Sequence, residues 1–345
     1  MTNLRSFLLL TVTSVVAVLT FLACGSKLET YGINAATSAA YISTSSGNLQ
    51  SGIEYHNPAQ GNSSLTQSSD EQQAQSAAAS GNVLGAITEK FISPYNTGLS
   101  YNNVNVRNKT SHTIDLKTEL EQKLGFVIEK SNGPQVLIVH THTTESYMSE
   151  DRNYYTDADY SRSTDAALNM TAIGEIFAKQ LTDAGVETVH DKTVHDYPSY
   201  TGSYSRSAET VKAALQKYPT IKVVVDIHRD AIMANDTDKT KPVVEINCKK
   251  AAQVMLVMGC QDKNVTGFEN WRENFRLAIK YQQIMEVMYP GLARPLVLAA
   301  KKYNENLTTG SMLLEVGTDA NSFEEAKRSA EYAGTALAAL LNTIR

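Results

Sequence analysis

Residues 136–147 read VLIVHTHTTESY, and this segment carries the clearest structural signal in the chain. Its four leading apolar residues, Val136–Val139, are typical of a strand buried on both faces of a parallel sheet. Three potential metal ligands follow directly, at His140, His142 and Glu145. Because side chains alternate along a strand, His140 and His142 would share one face if the strand continues that far. Otherwise the three residues are the polar rim of an ordinary sheet.

Strand and helix patterns alternate from this segment to the C-terminus. Apolar runs predict strands at 135–141, 186–190, 222–228, 295–299 and 311–316, and a hairpin at 243–258. Amphipathic spacing predicts helices at 169–184, 205–217, 271–288 and 322–341. We therefore predict an α/β domain over residues 130–345, with a mostly parallel sheet flanked by helices on both faces.

The N-terminal segment, residues 1–24, predicts a membrane anchor. Arg5 is followed by uncharged residues from Phe7 to Cys24, a stretch near the minimum length that spans a bilayer. Arg5 lies in the short segment before the apolar stretch, and basic residues tend to stay in the cytoplasm. This transmembrane helix would therefore place the rest of the chain outside the cytoplasm. A lipoprotein signal and a cleaved signal peptide are the alternatives.

Residues 25–125 are rich in Ser, Gln, Asn, Gly and Ala, and contain few large apolar side chains. Such a composition offers little burial to offset the entropy of ordering, so we predict a disordered linker. Within it, residues 83–95 and 114–124 have the pattern of short helices.

Charge and cysteine content exclude several classes of protein. The formal net charge of −5 leaves no basic footprint for nucleic acid. Cys24 lies in the anchor, and Cys248 and Cys260 are not expected to pair, since they sit at different distances from the predicted hairpin turn. The sequence therefore predicts neither a disulfide framework nor a cysteine zinc site.

Potential ligands also occur on two later strands. VVVDIHRDA, residues 223–231, places His228 at the end of an apolar run, and SMLLEVGTDAN, residues 311–321, places Glu315 inside one. The carboxyl ends of parallel strands meet at one edge of a sheet, which is where ligands bind in such folds. We therefore expect these residues to converge with the first motif.

The expected site suits a catalytic zinc ion, which takes three protein ligands and leaves one position for water. His228 is the first candidate, and either His140 or His142 is the second. Glu145 is the preferred third ligand, and Asp165 is the reserve.

Glu315 is assigned a different role. A carboxyl group between two apolar residues should have a raised pKa, which suits general base and general acid catalysis. Asp226 or Asp230 could orient a ligating histidine. Together these parts predict a metal-dependent amide hydrolase. The alternative for Glu315 is a buried charge paired for structural reasons.

A loop over the same edge supplies further candidates. Arg206, near the start of a helix that Ser205 would cap, could bind a substrate carboxylate. Rival metal ligands in the loop are His190, Asp191, His195 and Asp196.

Four motifs in order, HTHTTESY, HDYPSYTGSYSRS, VVVDIHRDA and GSMLLEVGTDAN, resemble the stage II sporulation protein P family, from about residue 134 to the C-terminus. The resemblance implies kinship with zinc-dependent N-acetylmuramoyl-L-alanine amidases. By that pattern, His140 or His142 matches the first histidine ligand, His228 the second, and Glu315 the catalytic glutamate. The ligating glutamate of those amidases lies further past the first histidine, which leaves Glu145 and Asp165 as alternatives.

The resemblance also implies amidase and endopeptidase activity on peptidoglycan during engulfment of the forespore. It implies stage II sporulation protein D as a partner, and a catalytic domain in the space between the mother cell and forespore membranes. A non-catalytic wall-binding module and a metal-dependent peptidoglycan deacetylase are the alternative functions.

Overall fold

The computed structural model describes residues 81–96, 98–129 and 133–344 of the chain. The strands are β1 (Val83–Lys90), β2 (Leu99–Tyr101), β3 (Val104–Asn108), β4 (Val136–Val139), β5 (Tyr154–Thr156), β6 (Thr188–His190), β7 (Val223–Asp230), β8 (Lys239–Ile246), β9 (Lys249–Ala252), β10 (Val254–Gly259), β11 (Leu296–Ala299) and β12 (Ser311–Thr318). The helices are α1 (Leu116–Glu121), α2 (Met170–Asp183), α3 (Ser203–Lys217), α4 (Trp271–Met288) and α5 (Phe323–Thr343). Short 3₁₀ turns lie at Pro94–Asn96 and Glu305–Leu307.

The main sheet has eight strands in the order β2-β3-β11-β10-β12-β7-β4-β6. Five of its seven neighbouring pairs are parallel, and the exceptions are β10 with β12 and β2 with β3. The described domain is therefore a mixed α/β fold, as the alternating pattern predicted. A smaller sheet has the order β5-β1-β8-β9, and the predicted hairpin is β8 and β9.

Alternation along the central strands divides the core between two faces of the sheet. Ile138 of β4 and Val225 of β7 pack in one cluster with apolar residues of α2, α4 and α5. Val139 and Val224 point the other way and pack against α3 through Val211. Helices therefore cover both faces, but on the second face α3 lies over the β4 and β7 end of the sheet.

The helix boundaries follow from local capping. The Asn169 side chain accepts the N–H of Thr171 at the start of α2, and Ser322 forms a capping box with Glu325 at the start of α5. Helix α3 instead begins after Gly202, which has a left-handed φ of 84°. The prediction that Ser205 caps this helix is wrong, because Ser205 lies inside its first turn.

Part of the predicted linker is folded. Residues 81–125 contain β1, β2, β3 and α1, and the residues from 83 that were predicted to form a helix are strand β1. β1 pairs with β5 and β8, β3 pairs with β11, and Ile87, Val104 and Val106 are buried. These strands are stabilised by partners far away along the chain, which local composition does not reveal. Only α1 agrees with the predicted short helices.

The membrane anchor predicted at residues 1–24 and the first part of the predicted linker lie outside the described residues. Within residues 81–96, 98–129 and 133–344, none of the helices combines the length and the apolar character that crossing a bilayer requires. Cys248 is exposed and Cys260 is buried, and both are free thiols as expected.

Candidate active site

The register of the main sheet brings three strands with polar ends together. β7 lies between β4 and β12 and runs parallel to both. Val139 of β4 is aligned with Asp226, and Glu315 of β12 is aligned with His228. Aligned residues of neighbouring strands point to the same face, so His228 and Glu315 lie side by side on the face that carries α3. The predicted convergence of these strand ends is confirmed.

The His228 imidazole lies between two carboxylates. Its Nδ1 atom is 3.5 Å from Glu145 Oε2, and its Nε2 atom is 2.9 Å from Asp226 Oδ1. The second contact is close but lacks hydrogen-bond alignment, since His228 Nε2 is buried and none of the described residues forms a hydrogen bond with it. Burial alone would lower the pKa of His228, but the charges of Asp226 and Glu145 outweigh it and raise the pKa well above its ordinary value.

Asp226 is held rigidly by the first motif. Its carboxylate accepts the Thr141 N–H at 2.8 Å and the Thr141 hydroxyl at 2.6 Å. Burial would raise the pKa of Asp226, but His228 and Thr141 lower it, so the carboxylate is ionised. Asp226 is therefore placed to orient His228, whereas Asp230 pairs with Arg294 at 3.0 Å.

Glu145 faces the same histidine as a carboxylate. Its Oε2 atom accepts the Arg229 N–H at 3.2 Å, and its Oε1 atom is 3.6 Å from the Arg162 guanidinium. Burial would raise the pKa of Glu145, but the hydrogen bond and charge of His228, together with the charges of Arg229 and His142, lower it below its ordinary value. One anionic oxygen donor is thus fixed beside His228.

His142 joins this group from the turn after β4. Its ring is perpendicular to that of His228, with 5.1 Å between the ring centroids. The Tyr200 hydroxyl is 3.1 Å from its Nε2 atom, and the Ser203 hydroxyl is 3.3 Å from its Nδ1 atom. Burial and the charge of His228 lower the pKa of His142, which keeps the ring neutral and able to bind a metal.

His140 lies on the opposite face of the sheet. β4 ends at Val139 and residues 141–144 form a turn, so the strand does not reach His142 and the condition for a shared face is not met. The His140 Nδ1 atom is 3.0 Å from the Ile227 carbonyl oxygen, and its Nε2 atom is 2.8 Å from His190 Nε2. Burial, reinforced by His190, lowers the pKa of His140 to about 3.

The remaining predicted ligands have structural partners instead. The His195 ring contacts the His140 carbonyl oxygen and the Thr210 hydroxyl, each at 2.8 Å. Asp196 accepts the Thr144 N–H at 3.1 Å and pairs with Arg162 at 2.6 Å. The exposed Asp165 and the half-buried Asp191 accept the N–H groups of Ala167 and Thr193 in local turns. The structure does not bring these four residues to the His228 group.

The Arg206 side chain also has structural partners. Its guanidinium donates to the carbonyl oxygens of His195 at 2.6 Å, Thr201 at 3.1 Å and Ser199. These bonds tie the loop before α3 to the first turn of that helix. The donors expected to bind a substrate carboxylate are therefore used by the backbone.

Glu315 borders a cleft next to His228. The residue is partly exposed, but its Oε2 atom is buried and has no hydrogen-bond partner in the described part of the chain. Burial raises the pKa of Glu315 to about 8, against a smaller opposing effect of His228. The raised pKa predicted for a carboxyl group in this strand is thus present.

Glu315 should make the metal-free chain less stable as the pH rises from about 5 to 8. The unfolded carboxyl group titrates near 4.5 and the folded one near 8, so the folded chain alone keeps the proton between these values. The advantage of a Glu315→Gln variant over the wild type should grow by up to about 1.4 kcal/mol per pH unit. Urea denaturation of both proteins in the presence of a chelator, at about pH 5 and pH 7.5, measures this difference in the free energy of unfolding. The exposed Glu331→Gln control should follow the wild type, and an unchanged slope in Glu315→Gln would contradict the raised pKa.

One tight acidic cluster lies away from this site. Among the described residues, the one group of three or more His, Cys, Asp or Glu side chains with ligand atoms within 4.8 Å of one another is Glu89, Asp151 and Glu325. Lys241 Nζ already lies among these carboxylates, 3.1 Å from Glu325 and 3.5 Å from Glu89, and also bonds Asp151. The cluster is therefore an ion-pair network around a buried lysine.

His142, Glu145 and His228 are more widely spaced than that cluster, but they fit zinc in chemical type. Zinc binds imidazole nitrogen and carboxylate oxygen, and two imidazoles with one carboxylate are a known catalytic ligand set. His228 Nδ1 lies 3.5 Å from the anionic Glu145, and the His142 ring is in edge-to-face contact with that of His228, so the two imidazoles and the carboxylate form one group. These three side chains are the ones that could hold the metal.

Three residues around His142 were missed from the sequence. The Tyr200 ring stacks on His142 with 4.6 Å between centroids, and the Tyr204 ring lies parallel to His228 at 6.5 Å. Burial and the charge of Asp226 raise the pKa of Tyr204, so its hydroxyl remains a donor. The spacing of four between Tyr200 and Tyr204 at a helix start was the available signal, and Ser203 lies between them.

Comparison with known proteins gives one family. The family described as "Stage II sporulation protein P (SpoIIP)" matches residues 30–338. Stage II sporulation protein P of Bacillus subtilis (strain 168) is 34% identical over 211 residues, which cover 57% of this chain and 49% of that protein. The chain thus spans about half the length of this curated relative.

Two amidases are among the solved structures that the chain matches. An N-acetylmuramoyl-L-alanine amidase from Clostridium difficile 630 is 15% identical, with a TM-score of 0.36. The match covers 61% of this chain and 96% of that amidase. The amidase Ami1 from Mycobacterium smegmatis is 13% identical, with a TM-score of 0.36. That match covers 63% of this chain and 99% of Ami1.

Proposed function

This chain belongs to the stage II sporulation protein P family, and we propose that it is a zinc-dependent peptidoglycan hydrolase that acts in sporulation. Its main reaction would be cleavage of the amide between N-acetylmuramic acid and L-alanine, with endopeptidase cleavage of cross-links as a second activity. The observation that carries the proposal is the grouping of His142, Glu145 and His228 beside the partly enclosed carboxyl group of Glu315. Two imidazoles, a carboxylate and a protonatable acid suit metal-assisted amide hydrolysis.

The chain's own residues divide the work of such a reaction. His142, Glu145 and His228 would hold zinc, which as a Lewis acid polarises a carbonyl and makes water a better nucleophile. Asp226 would keep the His228 ring in its binding orientation. Glu315 would accept the proton of the attacking water and deliver it to the leaving amine nitrogen. Its pKa of about 8 without metal would fall beside a bound cation, toward the neutral range that this exchange needs.

The biological setting is proposed on family membership alone. We propose action at the forespore during engulfment, with stage II sporulation protein D as a partner. The catalytic domain would be held outside the cytoplasm by the N-terminal segment. Residues 1–24, which would form that anchor, lie outside the described part of the chain.

Peptidoglycan digestion with the full-length chain tests the proposed reaction. Mass spectrometry of the fragments should show free stem peptides together with glycan strands that have lost them. Shortened cross-links would establish the endopeptidase activity. Deacetylated sugars with intact stems would favour the deacetylase alternative, and binding to peptidoglycan without any cleavage would favour a wall-binding module.

Replacing Asp226 with Asn should weaken zinc binding by about 10–100-fold, the usual effect of losing a residue that orients a ligating histidine. The variant keeps the size of the side chain but loses the charge that holds His228. Zinc affinity is measured by competition with a coloured chelator. Asp165→Asn, at an exposed turn, is the matched control and should keep wild-type affinity. Equal losses in the two variants would contradict the role given to Asp226.

A further inference from the structure

Arg294 is a buried arginine with unused donors. Its side chain is 4% exposed, and its Nη1 atom pairs with Asp230 Oδ2 at 3.0 Å. The Nε and Nη2 atoms of the same guanidinium are buried and have no hydrogen-bond partner among the residues that the structure describes. Buried N–H groups of a charged side chain are costly to leave unpaired, so this guanidinium has the donors for a ligand that accepts hydrogen bonds.

Arg294 lines a cleft of about 540 Å³ that also borders Glu315. The register explains the position of this cleft. Met255 is aligned with Glu315, so the floor of the cleft continues the face that carries His228. Since α3 packs at the β4 and β7 end of this face, the cleft occupies the part over β10, β11 and β12.

The walls of the cleft are predominantly cationic. Arg107 and Lys109 are exposed residues at its border, in addition to the buried Arg294. The acidic side chains on its walls are Asp230, which is paired with Arg294, and Glu315. Three cations against two carboxyl groups, one of which is paired with Arg294, leave a positive field in the cleft.

We propose that this cleft binds a carboxylate of the substrate, held by the free Nε and Nη2 donors of Arg294 with Arg107 and Lys109 at the entrance. The inference rests on the proposed function, and it identifies which half of the substrate lies there. N-acetylated sugars carry no charge, whereas the stem peptide carries carboxylates. The stem therefore occupies the cleft, and the sugar lies on the other side of Glu315.

The geometry of the guanidinium supports a carboxylate over a neutral group. The Nε and Nη2 atoms can donate two parallel hydrogen bonds, the arrangement that matches the two oxygens of a carboxylate. A carboxamide offers one oxygen and would turn its NH₂ group toward a cation. The cleft should therefore discriminate between a stem with a free acid and the same stem with an amide.

Two N-acetylmuramoyl peptides that differ in one group test this proposal. In one, the γ-linked glutamate of the stem has a free α-carboxylate; in the other, that group is a carboxamide. For the full-length wild-type chain, kcat/KM should be about 10–100-fold higher for the free acid, as expected for hydrogen bonds to a charged group. Equal kcat/KM values for the two peptides would overturn the proposal.

Variants locate the source of the preference. Arg294→Gln should bring the ratio of the two kcat/KM values close to one. Because Arg294 is buried against Asp230, the surface variant Arg107→Gln/Lys109→Gln provides a second measure and should lower the ratio several-fold. The exposed Lys123→Gln control should keep the wild-type ratio. Retention of the full ratio in both test variants would place the selectivity elsewhere and overturn the assignment.

Calorimetric binding of the released stem peptides separates this inference from the proposed reaction. If neither muramoyl peptide is cut but the free-acid stem binds more tightly than its carboxamide, the hydrolase proposal fails and the cleft assignment holds. If both are cut at equal rates and the stems bind equally, the cleft assignment fails and the hydrolase proposal holds. Absence of cleavage and of binding would overturn both.

Discussion

Replacing Glu315 with Gln should lower kcat by about 10²–10⁴-fold, the usual contribution of a general acid–base group. The amide keeps the shape of the carboxyl group but can neither accept the proton of water nor give one to the leaving amine. Zinc content should be unchanged, since Glu315 is not among the proposed ligands. The measurement is single-turnover cleavage of a muramoyl peptide together with metal analysis of the purified variant.

Glu305→Gln is a matched control for this variant. Glu305 is buried, and burial raises its pKa well above the ordinary value as it does for Glu315, but the Glu305 carboxyl group accepts the Gly259 N–H at 2.7 Å. A neutral amide should be tolerated there, with turnover near that of the wild type. Wild-type turnover in Glu315→Gln, or a comparable loss in Glu305→Gln, would contradict the catalytic role of Glu315.

The second large effect concerns the choice between two histidines. His142→Ala and His228→Ala should each abolish stoichiometric zinc binding, because removing one of three protein ligands leaves an incomplete set. His140→Ala should keep its zinc, because that side chain is directed to Ile227 and His190 on the other face of the sheet. Zinc content per folded chain, measured by mass spectrometry of the metal, tests all three.

His140→Ala should still be less stable than the wild type, since it leaves a cavity and an unpaired Ile227 carbonyl oxygen. Zinc content must therefore be normalised to folded protein, for example by circular dichroism. If His140→Ala lost its zinc and His142→Ala retained it, His140 would be the zinc ligand and His142 would not. Full occupancy in both His142→Ala and His228→Ala would reject the ligand set.

The sheet edge could be predicted from the sequence because its signals are local. Apolar runs marked β4, β7 and β12, and parallel strands bring their carboxyl ends to one edge. His228 and Glu315 could be placed at the same edge of the sheet by this rule alone, whereas the order of the strands could not. The choice between His140 and His142 could not be predicted, because it depends on where β4 ends. The ends of strands are poorly determined by local sequence.

Other features depended on contacts that no local pattern contains. Arg206 was expected to bind substrate because it is a cation at a helix start, yet three carbonyl oxygens of its own loop take its donors. Arg294 follows α4 without any motif, and its unused donors become apparent only once the cleft is formed. The two arginines show that the availability of donors, rather than charge, identifies a binding residue.

The position of β1 has a consequence for how the chain folds. The Ala86 N–H bonds Asp238, 152 residues later, and β1 pairs with β8 in the same region. Chains are synthesised from the N-terminus, so β1 must wait until β8 has been made before its parallel partner exists. Contacts of such sequence separation slow folding, and the edge of β1 that β8 will cover is open to aggregation in the interval. Completion of the smaller sheet should thus be a late step, reached only after most of the domain has left the ribosome.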